Sequence, residues 1–207
     1  MRIAVIAANG RLGRVFVAEA LRRGHMVRAG VRGTHDFPKH PNLQVVPCDA
    51  TNIDDVIRLL EGQEAVVSAI GHVKGSASDV QTKATEVVTQ AMNKLNITRF
   101  VDVTGTGVRF PGDRITLVDR FLNLAVSLVD LNRVNDGIEH VKVLQGSSLD
   151  WTSIRVLKLQ NVKPRKYALR LHGPTKPFVG REEVARAMLE VLEQEAFIQE
   201  APIISYT

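Results

Sequence analysis

The stretch IAVIAANGRLGRV, residues 3–15, carries most of the information about the fold. Residues 3–8 are all apolar, as in a strand that is covered on both faces of a sheet. The apolar run stops at Asn9-Gly10, and an amphipathic segment typical of a helix starts at once. Ala7 stands where a third glycine would complete an evenly spaced loop with Gly10 and Gly13. The joint is therefore either a phosphate-binding turn or an ordinary strand-to-helix turn.

Short β-branched apolar runs alternate with helical patterns along the whole chain. We expect strands at 3–8, 27–31, 43–47, 65–70, 100–104, 151–157 and 203–206. We expect helices at 13–23, 53–61, 79–95, 117–133, 135–145 and 182–195. Asn52 before two acidic residues is typical of a helix start, and Gly24 after two arginines is typical of a helix stop. The alternation predicts one α/β domain over residues 1–207, a Rossmann-like doubly wound parallel sheet with helices on both faces.

The composition is that of a globular protein, with 207 residues of which 44% are apolar and 24% charged. No apolar stretch approaches the roughly 20 residues of a membrane helix, and no cleavable signal is evident. We therefore expect a cytoplasmic protein without a membrane partner. The net charge of +5 is spread over scattered basic residues with few aromatic neighbours, so nucleic acid is not an expected partner.

Cys48 is the single cysteine, and it lies in an apolar segment. We expect a buried, inert thiol in a reducing compartment. His35 and His40 are close to it along the chain, but their spacing does not match that of zinc ligands. No metal site is expected.

In a doubly wound sheet, ligands bind outside the carboxyl ends of the strands. Gly10 would let a diphosphate approach the backbone, and Gly13 would let the helix pack closely on the strand, with its free N–H groups facing the phosphates. Arg32 ends the second strand, where folds that prefer NAD often carry an acid. Its planar guanidinium suits a 2′-phosphate instead. A plain structural turn and a surface arginine are the alternatives.

Three further strand ends add to this pattern. Asp49 follows the third strand, where a carboxylate can accept a hydrogen bond from an adenine amino group. Small residues at 68–72 follow the fourth strand and leave room for a ribose. Thr104 lies in a glycine-rich turn after the fifth strand. Because these loops share one edge of the sheet, the sequence predicts a dinucleotide site there.

The segments that carry this pattern are AANGRLG, VRAGVRG, VVPCDATN, AVVSAIG, RFVDVTGTG, LDWTSIRVLKL and FVGREEVARAMLEVL. Together they resemble the atypical short-chain dehydrogenases/reductases with an NAD(P)H-binding domain. That group includes biliverdin reductase B-like and flavin reductase-like proteins and the NmrA-like redox sensors. The resemblance spans residues 3 to about 192.

The resemblance implies NADP(H) as the cofactor and assigns a role to each strand end. It implies diphosphate contacts in the loop of Asn9, Gly10, Arg11, Leu12 and Gly13, NADPH selection by Arg32, adenine-side contacts by Asp49 and Ala50, ribose-side contacts by Ala69, Ile70 and Gly71, and nicotinamide-side contacts by Thr104, Leu157 and Lys158.

Two departures from the family pattern matter. Ala7 replaces the first glycine of the loop, and we expect it to be tolerated in a strand conformation. Short-chain dehydrogenases typically use a Tyr-x-x-x-Lys pair as proton donor. The only tyrosines here are Tyr167 and Tyr206, and neither has a lysine four residues later. Ordinary alcohol–ketone chemistry with that acid is therefore not expected.

Reduction of a flavin, quinone or related conjugated acceptor needs less from the protein, mainly binding and orientation. Thr104 could polarise the acceptor or orient the carboxamide, and Lys158 could place positive charge near a developing anion. A turn-capping hydroxyl and a solvated lysine are the plainer readings. We interpret His72 and His140 as surface histidines.

The predicted acceptor pocket is formed by residues 109–133 and by 160–177, an irregular segment rich in Pro, Lys and Arg. The apolar residues at helical spacing in the first segment are more typical of a buried helix face than of a ligand wall. They are Leu117, Phe121, Leu124, Leu128 and Leu131.

The first hypothesis is an NADPH-dependent oxidoreductase that acts on a flavin-like or quinone-like small molecule, as a monomer or a homodimer. A non-catalytic NADP(H) redox sensor is the alternative. A sugar-nucleotide epimerase is weaker, because the chain lacks both a substrate domain and the tyrosine base.

Overall fold

The computed structural model describes residues 1–73, 75–114, 116–175 and 178–206, without the side chain of Val129. Ten strands are present in these ranges: β1 Arg2–Ile6, β2 Met26–Val31, β3 Leu43–Pro47, β4 Ala65–Ser68, β5 Arg99–Gly105, β6 Asp150–Val156, β7 Leu159–Gln160, β8 Tyr167–Arg170, β9 Val179–Gly180 and β10 Ile203–Tyr206. The same ranges contain six helices: α1 Arg11–Arg22, α2 Ile53–Leu60, α3 Val80–Leu95, α4 Leu117–Val129, α5 Leu131–Gln145 and α6 Arg181–Glu193.

The main sheet has eight strands in the order β3-β2-β1-β4-β5-β6-β10-β8. Its first six strands run parallel in the order 3-2-1-4-5-6, which is that of dinucleotide-binding folds. The strand order reverses between β1 and β4, so the carboxyl ends of these strands border the crevice in which such folds bind ligands. The predicted fold class, a doubly wound α/β domain, is confirmed.

Helices cover both faces of the sheet and enclose two apolar layers. In β1, Ile3 and Val5 join the layer shared with α1 and α6, while Ala4 and Ile6 join the layer shared with α2 and α3. This alternation follows from the two-residue period of a strand. Both faces of β1 are thus buried, which explains why its sequence is a continuous apolar run.

Two predicted segments differ from the structure. Residues 160–177 were expected to be irregular, but Tyr167–Arg170 form the edge strand β8, antiparallel to β10. The helix expected at 117–133 ends at Val129, and Asp130 at φ −152° separates α4 from α5. The Asp130 side chain accepts a hydrogen bond from the amide of Arg133 and so caps α5.

The apolar residues spaced along 117–131, which the structure places in α4 and at the start of α5, were expected to be buried, and this prediction is wrong. Leu117, Phe121, Leu124, Leu128 and Leu131 all belong to the exposed large hydrophobic residues of the chain. The helical spacing correctly indicated one apolar face, but no described part of the chain covers that face. No helix among the residues described combines the length and the apolar character needed to cross a bilayer.

A buried ion pair ties the segment after β5 to the sheet. Arg155 in β6 is 1% exposed, and its guanidinium donates to Asp113 Oδ1 at 2.9 Å and to the carbonyls of Val108 and Leu171. Burial raises the pKa of Asp113, but hydrogen bonds led by that from Arg155 outweigh this effect, and the pKa lies below its usual value. Arg155 therefore joins the segment after β5, which contains Val108 and Asp113, to Leu171 directly after β8.

We expect Asp113→Ala to lower the free energy of unfolding by about 3–5 kcal/mol, because it leaves the buried Arg155 charge without its partner. Urea denaturation measures the change. The matched control is Glu139→Ala, which breaks an exposed pair with Lys142 and should cost about 0–1 kcal/mol. Equal losses in the two variants would contradict the anchoring role of the buried pair.

Candidate functional site

The loop between β1 and α1 leaves the first turn of α1 open. The N-cap residue is Gly10, which has no side chain to accept hydrogen bonds from the helix, and the first turn contains no acidic residue. By contrast, Asn52 at the start of α2 accepts hydrogen bonds from the amides of Asp54 and Asp55. The amide groups at the start of α1 therefore remain available to an anion.

The same loop brings α1 unusually close to the end of β1. A Cβ atom added to Gly13 would lie 2.5 Å from the carbonyl oxygen of Ala7 and 2.7 Å from that of Ala8. A Cβ on Gly10 would lie 3.1 Å from the Ala7 oxygen. Only glycine fits at position 13 without a backbone shift, so these residues form a cradle of the kind a diphosphate requires.

Ala7 does not have the strand conformation expected for it. Strand β1 ends at Ile6, and Ala7 has φ +56°, in the left-handed region that favours glycine. A non-glycine residue there costs on the order of 1–2 kcal/mol. The loop keeps its shape because the Ala7 oxygen accepts a hydrogen bond from the Gly10 amide at 3.0 Å. The alanine is thus accommodated at a cost in stability.

Contacts between loops place the end of β2 beside this cradle. The side-chain amide of Asn9 donates to the carbonyl of Thr34 at 2.8 Å. Arg14 in α1 donates to the Asn9 carbonyl, forms an ion pair with Asp36 and lies over the Phe37 ring. The side chain of Asn9 therefore holds the loop that follows β2.

Arg32 and Asp49 lie at the carboxyl ends of the neighbouring strands β2 and β3. The Arg32 side chain is exposed. Asp49 Oδ1 accepts hydrogen bonds from the amide and hydroxyl of Thr51, which lower the pKa of Asp49, and the Arg32 charge adds a smaller effect. Asp49 and Ala50 are both half-buried. An exposed guanidinium thus stands next to an ionised carboxylate at this end of the crevice.

The loop after β4 opens toward solvent. Ala69 and Ile70 are half-buried and Gly71 is exposed. A Cβ on Gly71 would meet no atom within 4 Å, and the side-chain amide of Gln81 donates to the Ile70 carbonyl at 3.3 Å. Free space therefore lies beside the residues expected on the ribose side.

Thr104 and Lys158 lie at the ends of the adjacent strands β5 and β6, but their side chains have different neighbours. Thr104 is 3% exposed, and its hydroxyl donates to the Gly137 carbonyl at 3.4 Å. The Lys158 ammonium lies 5.7 Å from the centre of the exposed Phe178 ring. Leu157, the residue directly before Lys158, is half-buried. Within the described ranges, no hydrogen bond joins Thr104 to Lys158.

His72 is not the surface residue expected from the sequence. Its side chain is 9% exposed, and Nε2 lies 2.8 Å from Asp136 Oδ2. Asp136 also accepts hydrogen bonds from the amides of Gln81 and Thr82 at the start of α3. Arg133 donates to the His72 carbonyl at 2.9 Å. Sequence reasoning missed this network, because His72 contacts α5, which is distant in the sequence, and α3 joins it only through Asp136.

A cavity of about 330 Å³ lies next to His72. Its polar lining includes Ser76, Ser78, Asp130, Asn132 and Arg133. The lining residues at the junction of α4 and α5 belong to the segment 109–133, one of the two that were expected to form the acceptor pocket. The remaining lining residues come from the loop between β4 and α3, which was not expected there. That loop contains small residues directly after a strand, which was the signal available in the sequence.

His140 is also buried, contrary to the prediction of a surface residue. It is 1% exposed, and its Nε2 lies 2.9 Å from Asp102 Oδ2. Burial lowers the pKa of His140, but the hydrogen bond to Asp102 outweighs it, and the pKa lies above its usual value. Asp102 and Thr104 lie on the same face of β5. The contact between His140 and Asp102 therefore holds α5 against that face, next to Thr104.

Arg181 is a second buried cation that the sequence did not single out. It begins α6, is 9% exposed and donates to Asn161 Oδ1 and to the Leu159 carbonyl. Burial and the nearby charge of Arg11 lower its pKa. In the described ranges the hydrogen-bond acceptors of Arg181 are these two neutral oxygens. Arg11 and Arg181 thus give the cradle a local excess of positive charge.

Burial is the dominant feature of Cys48, as expected. It raises the pKa of the thiol to about 12, so the side chain is not ionised near neutral pH.

The strand order, the open helix start and the glycine cradle define a Rossmann-type dinucleotide-binding domain. Residues 7–195 match the model of the NAD(P)H-binding family, and the chain belongs to that family of atypical short-chain dehydrogenases/reductases. The family resemblance drawn from the sequence is confirmed.

Similar proteins share the fold and differ in described activity. The chain is 28% identical over 142 residues to a 3-beta-hydroxysteroid dehydrogenase from Mycolicibacterium neoaurum, and the match covers 63% of this chain but only 39% of that protein. A short-chain dehydrogenase/reductase from Veillonella parvula in complex with NADP superposes with a TM-score of 0.83 at 19% identity, over 99% of this chain and 94% of that one. A Streptococcus pneumoniae protein proposed to be an NADH-flavin reductase has a TM-score of 0.79 at 23% identity, over all of both chains.

We expect Ala7→Gly to stabilise the protein by about 1 kcal/mol, because glycine adopts the positive φ at position 7 without strain. The midpoint of thermal unfolding should rise by roughly 2–4 °C. Gly13→Ala should instead destabilise by about 1–3 kcal/mol, since the new methyl group meets two backbone oxygens.

Gly71→Ala is the matched control, because a Cβ there enters open space. It should change the unfolding midpoint little. A fall in the midpoint for Ala7→Gly would mean that the conformation of Ala7 carries no strain.

Proposed function

We propose that this protein is an NADPH-dependent reductase that transfers hydride to a flavin-like, quinone-like or related conjugated acceptor. The observation that carries the proposal is the pairing of a built anion cradle with the absence of a tyrosine acid near Thr104. The cradle supports dinucleotide binding, and the missing acid favours an acceptor that takes its proton from water.

Both tyrosines lie in the last two strands of the sheet, Tyr167 in β8 and Tyr206 in β10. The Tyr206 hydroxyl lies 2.8 Å from Glu183 Oε2 and 3.0 Å from the Phe178 carbonyl. Burial and the contact with Glu183 raise the pKa of Tyr206, and burial raises that of Tyr167 in β8. A catalytic tyrosine needs the opposite shift, toward a lower pKa. Neither tyrosine is therefore suited to protonate an alkoxide.

The basic residues around the cradle support NADPH over NADH. Arg32 is exposed at the end of β2 and can form paired, charge-assisted hydrogen bonds with a 2′-phosphate. Arg11 and the buried Arg181 would face the diphosphate beside the open start of α1. The Veillonella relative was solved with NADP, which agrees with this choice.

The reduced nicotinamide supplies the hydride, and the chain's own residues bind and orient the two reactants. Thr104 Oγ1 would accept a hydrogen bond from the carboxamide N–H, because its own proton is donated to the Gly137 carbonyl. Arg133, at the cavity beside His72, would favour the negative charge that the acceptor ring gains with the hydride. The hydrogen bond between His72 and Asp136 would keep this wall of the site in place.

A non-catalytic NADP(H) sensor is the second candidate. The observation in its favour is that Thr104 and Lys158 do not converge, since the Thr104 hydroxyl faces Gly137 and Lys158 lies on Phe178. A sensor binds the cofactor tightly and leaves its oxidation rate unchanged with every acceptor.

We expect the protein to bind NADPH more tightly than NADH, and Arg32→Ala to weaken NADPH binding by about ten- to a hundredfold. The loss corresponds to one charged hydrogen bond of roughly 1.5–3 kcal/mol. Isothermal titration with both cofactors measures it.

Arg2→Ala is the control, because Arg2 pairs with Glu64 at the amino ends of the strands, away from the candidate site. It should leave both affinities unchanged. If the native protein binds NADPH and NADH equally well, the role of Arg32 is wrong.

We expect flavin mononucleotide or a benzoquinone to accelerate NADPH oxidation, measured at 340 nm as absorbance loss. Thr104→Val should lower kcat by about tenfold, the effect of one lost hydrogen bond. Thr98→Val is the control: it removes a similar hydroxyl just before β5, at the amino ends of the strands, and should leave kcat unchanged. Tight binding without turnover by any acceptor would support the sensor, and NADPH oxidation with a saturated 3-ketosteroid as the sole effective acceptor would contradict the acceptor class.

A further inference from the structure

Helix α4 exposes an apolar face that the rest of the described chain does not cover. In α4, Leu117, Phe121, Leu124 and Leu128 expose between 58% and 81% of their surface, and Val118 exposes 57%. Leu131, the first residue of α5, exposes 56% and lies next to them in the chain. We call these six residues the α4 stripe. Monomeric proteins seldom expose a contiguous apolar patch of several hundred Å² without a function.

The other face of α4 is firmly attached, so the stripe cannot turn inward. Asp119 is 1% exposed and forms an ion pair with Arg109 at 2.6 Å. Asn123 donates to Thr106 Oγ1 at 3.2 Å and to Asp119 Oδ1 at 3.0 Å. Thr116 caps the helix by accepting a hydrogen bond from the Asp119 amide. These polar contacts set the rotation of α4 and direct the stripe outward.

The spacing of the stripe matches the seam of a helix pair. Leu117, Phe121, Leu124 and Leu128 follow at intervals of four, three and four residues. Alternating intervals of four and three place apolar side chains along the narrow line that contacts one partner helix. A partner helix is therefore a better match to this face than a flat surface.

The area of the stripe approaches what a stable dimer needs. A phenylalanine side chain presents roughly 150–250 Å² when it is fully exposed, and leucine and valine present somewhat less, so the six residues offer on the order of 700 Å². A standard interface takes about 800 Å² from each partner, and residues at the rim would supply the remainder. The stripe by itself accounts for most of such an interface.

The charge of α4 argues against a lipid surface as the occupant. Helices that lie on membranes have a polar face rich in Lys and Arg. The only Lys or Arg in α4 is Arg120, and its acidic residue Asp119 is already paired with Arg109. A face that is apolar and almost free of charge is instead typical of the core of a protein interface.

We propose that α4 forms the interface of a homodimer, in which the α4 stripes of two copies pack antiparallel across a two-fold axis between Phe121 and Leu124. In this arrangement Phe121 of each copy meets Leu124 of the other, and Leu117 meets Leu128. The same patch serves both subunits, as two-fold symmetry requires. The antiparallel arrangement also opposes the two helix dipoles favourably. The dimer does not depend on the proposed reductase activity.

Sedimentation equilibrium of the full chain tests the oligomeric state. We expect twice the chain mass for the native protein, and a monomer for Leu124→Glu/Leu128→Glu with an unchanged circular dichroism spectrum. The dissociation constant should rise by at least roughly a hundredfold, because four buried leucines per dimer are replaced by charges. Met26→Glu is the control, since Met26 is 53% exposed on β2, outside the stripe. It should remain a dimer.

Cysteine cross-linking tests the arrangement, because the native Cys48 is buried and unreactive. Mixed Leu117→Cys and Leu128→Cys chains should form a disulfide-linked dimer on mild oxidation, and Leu117→Cys chains alone should not. Links within Leu117→Cys alone would indicate a parallel pair and overturn the proposed geometry.

A native protein that is monomeric at all concentrations, or a dimer that persists in the double glutamate variant, would overturn the proposed interface. Monomers that sediment with phosphatidylglycerol vesicles through the stripe would assign α4 to a membrane surface instead.

Discussion

The close contact between Gly13 and the carbonyl groups of Ala7 and Ala8 is the constraint on which the site depends. It allows α1 to begin immediately after β1, with no room for a side chain between them. The first turn of α1 is thereby held at the carboxyl edge of the sheet with its amide groups open. Every other element of the candidate site is positioned relative to this edge, because β2, β4 and β5 pair outward from β1 in parallel.

Hydrogen bonds to buried carboxylates hold the loops above that edge. Asp136 joins the start of α3 to His72, the pair of His140 and Asp102 fastens α5 to β5, and Arg155 holds the segment around Asp113. Such pairs are costly to break singly, because the remaining charge would be buried without a partner. They give irregular loops a fixed position, which a site that orients two reactants needs.

The local sequence was sufficient for much of this picture and failed at particular residues. The apolar runs at 27–31 and 43–47, and the helix start at Asn52, agree with the structure because burial on both faces and capping are short-range effects. Ala7 was expected in a strand conformation, yet it has a positive φ because the chain must turn sharply to bring Gly13 against the strand end. The edge strand β8 was missed because its pairing with β10 joins segments more than thirty residues apart.

The sequence by itself determined the parallel α/β sheet, the glycine cradle and the charge at the end of β2, since each follows from residue type and near-neighbour spacing. Tertiary structure alone shows that His72 and His140 are buried partners of carboxylates and that Arg181 lies close to Arg11. It also shows that the apolar face of α4 points outward. Periodicity reports that a helix has an apolar face, but the direction of that face depends on polar anchors such as Asp119 and Asn123, whose partners lie elsewhere in the fold.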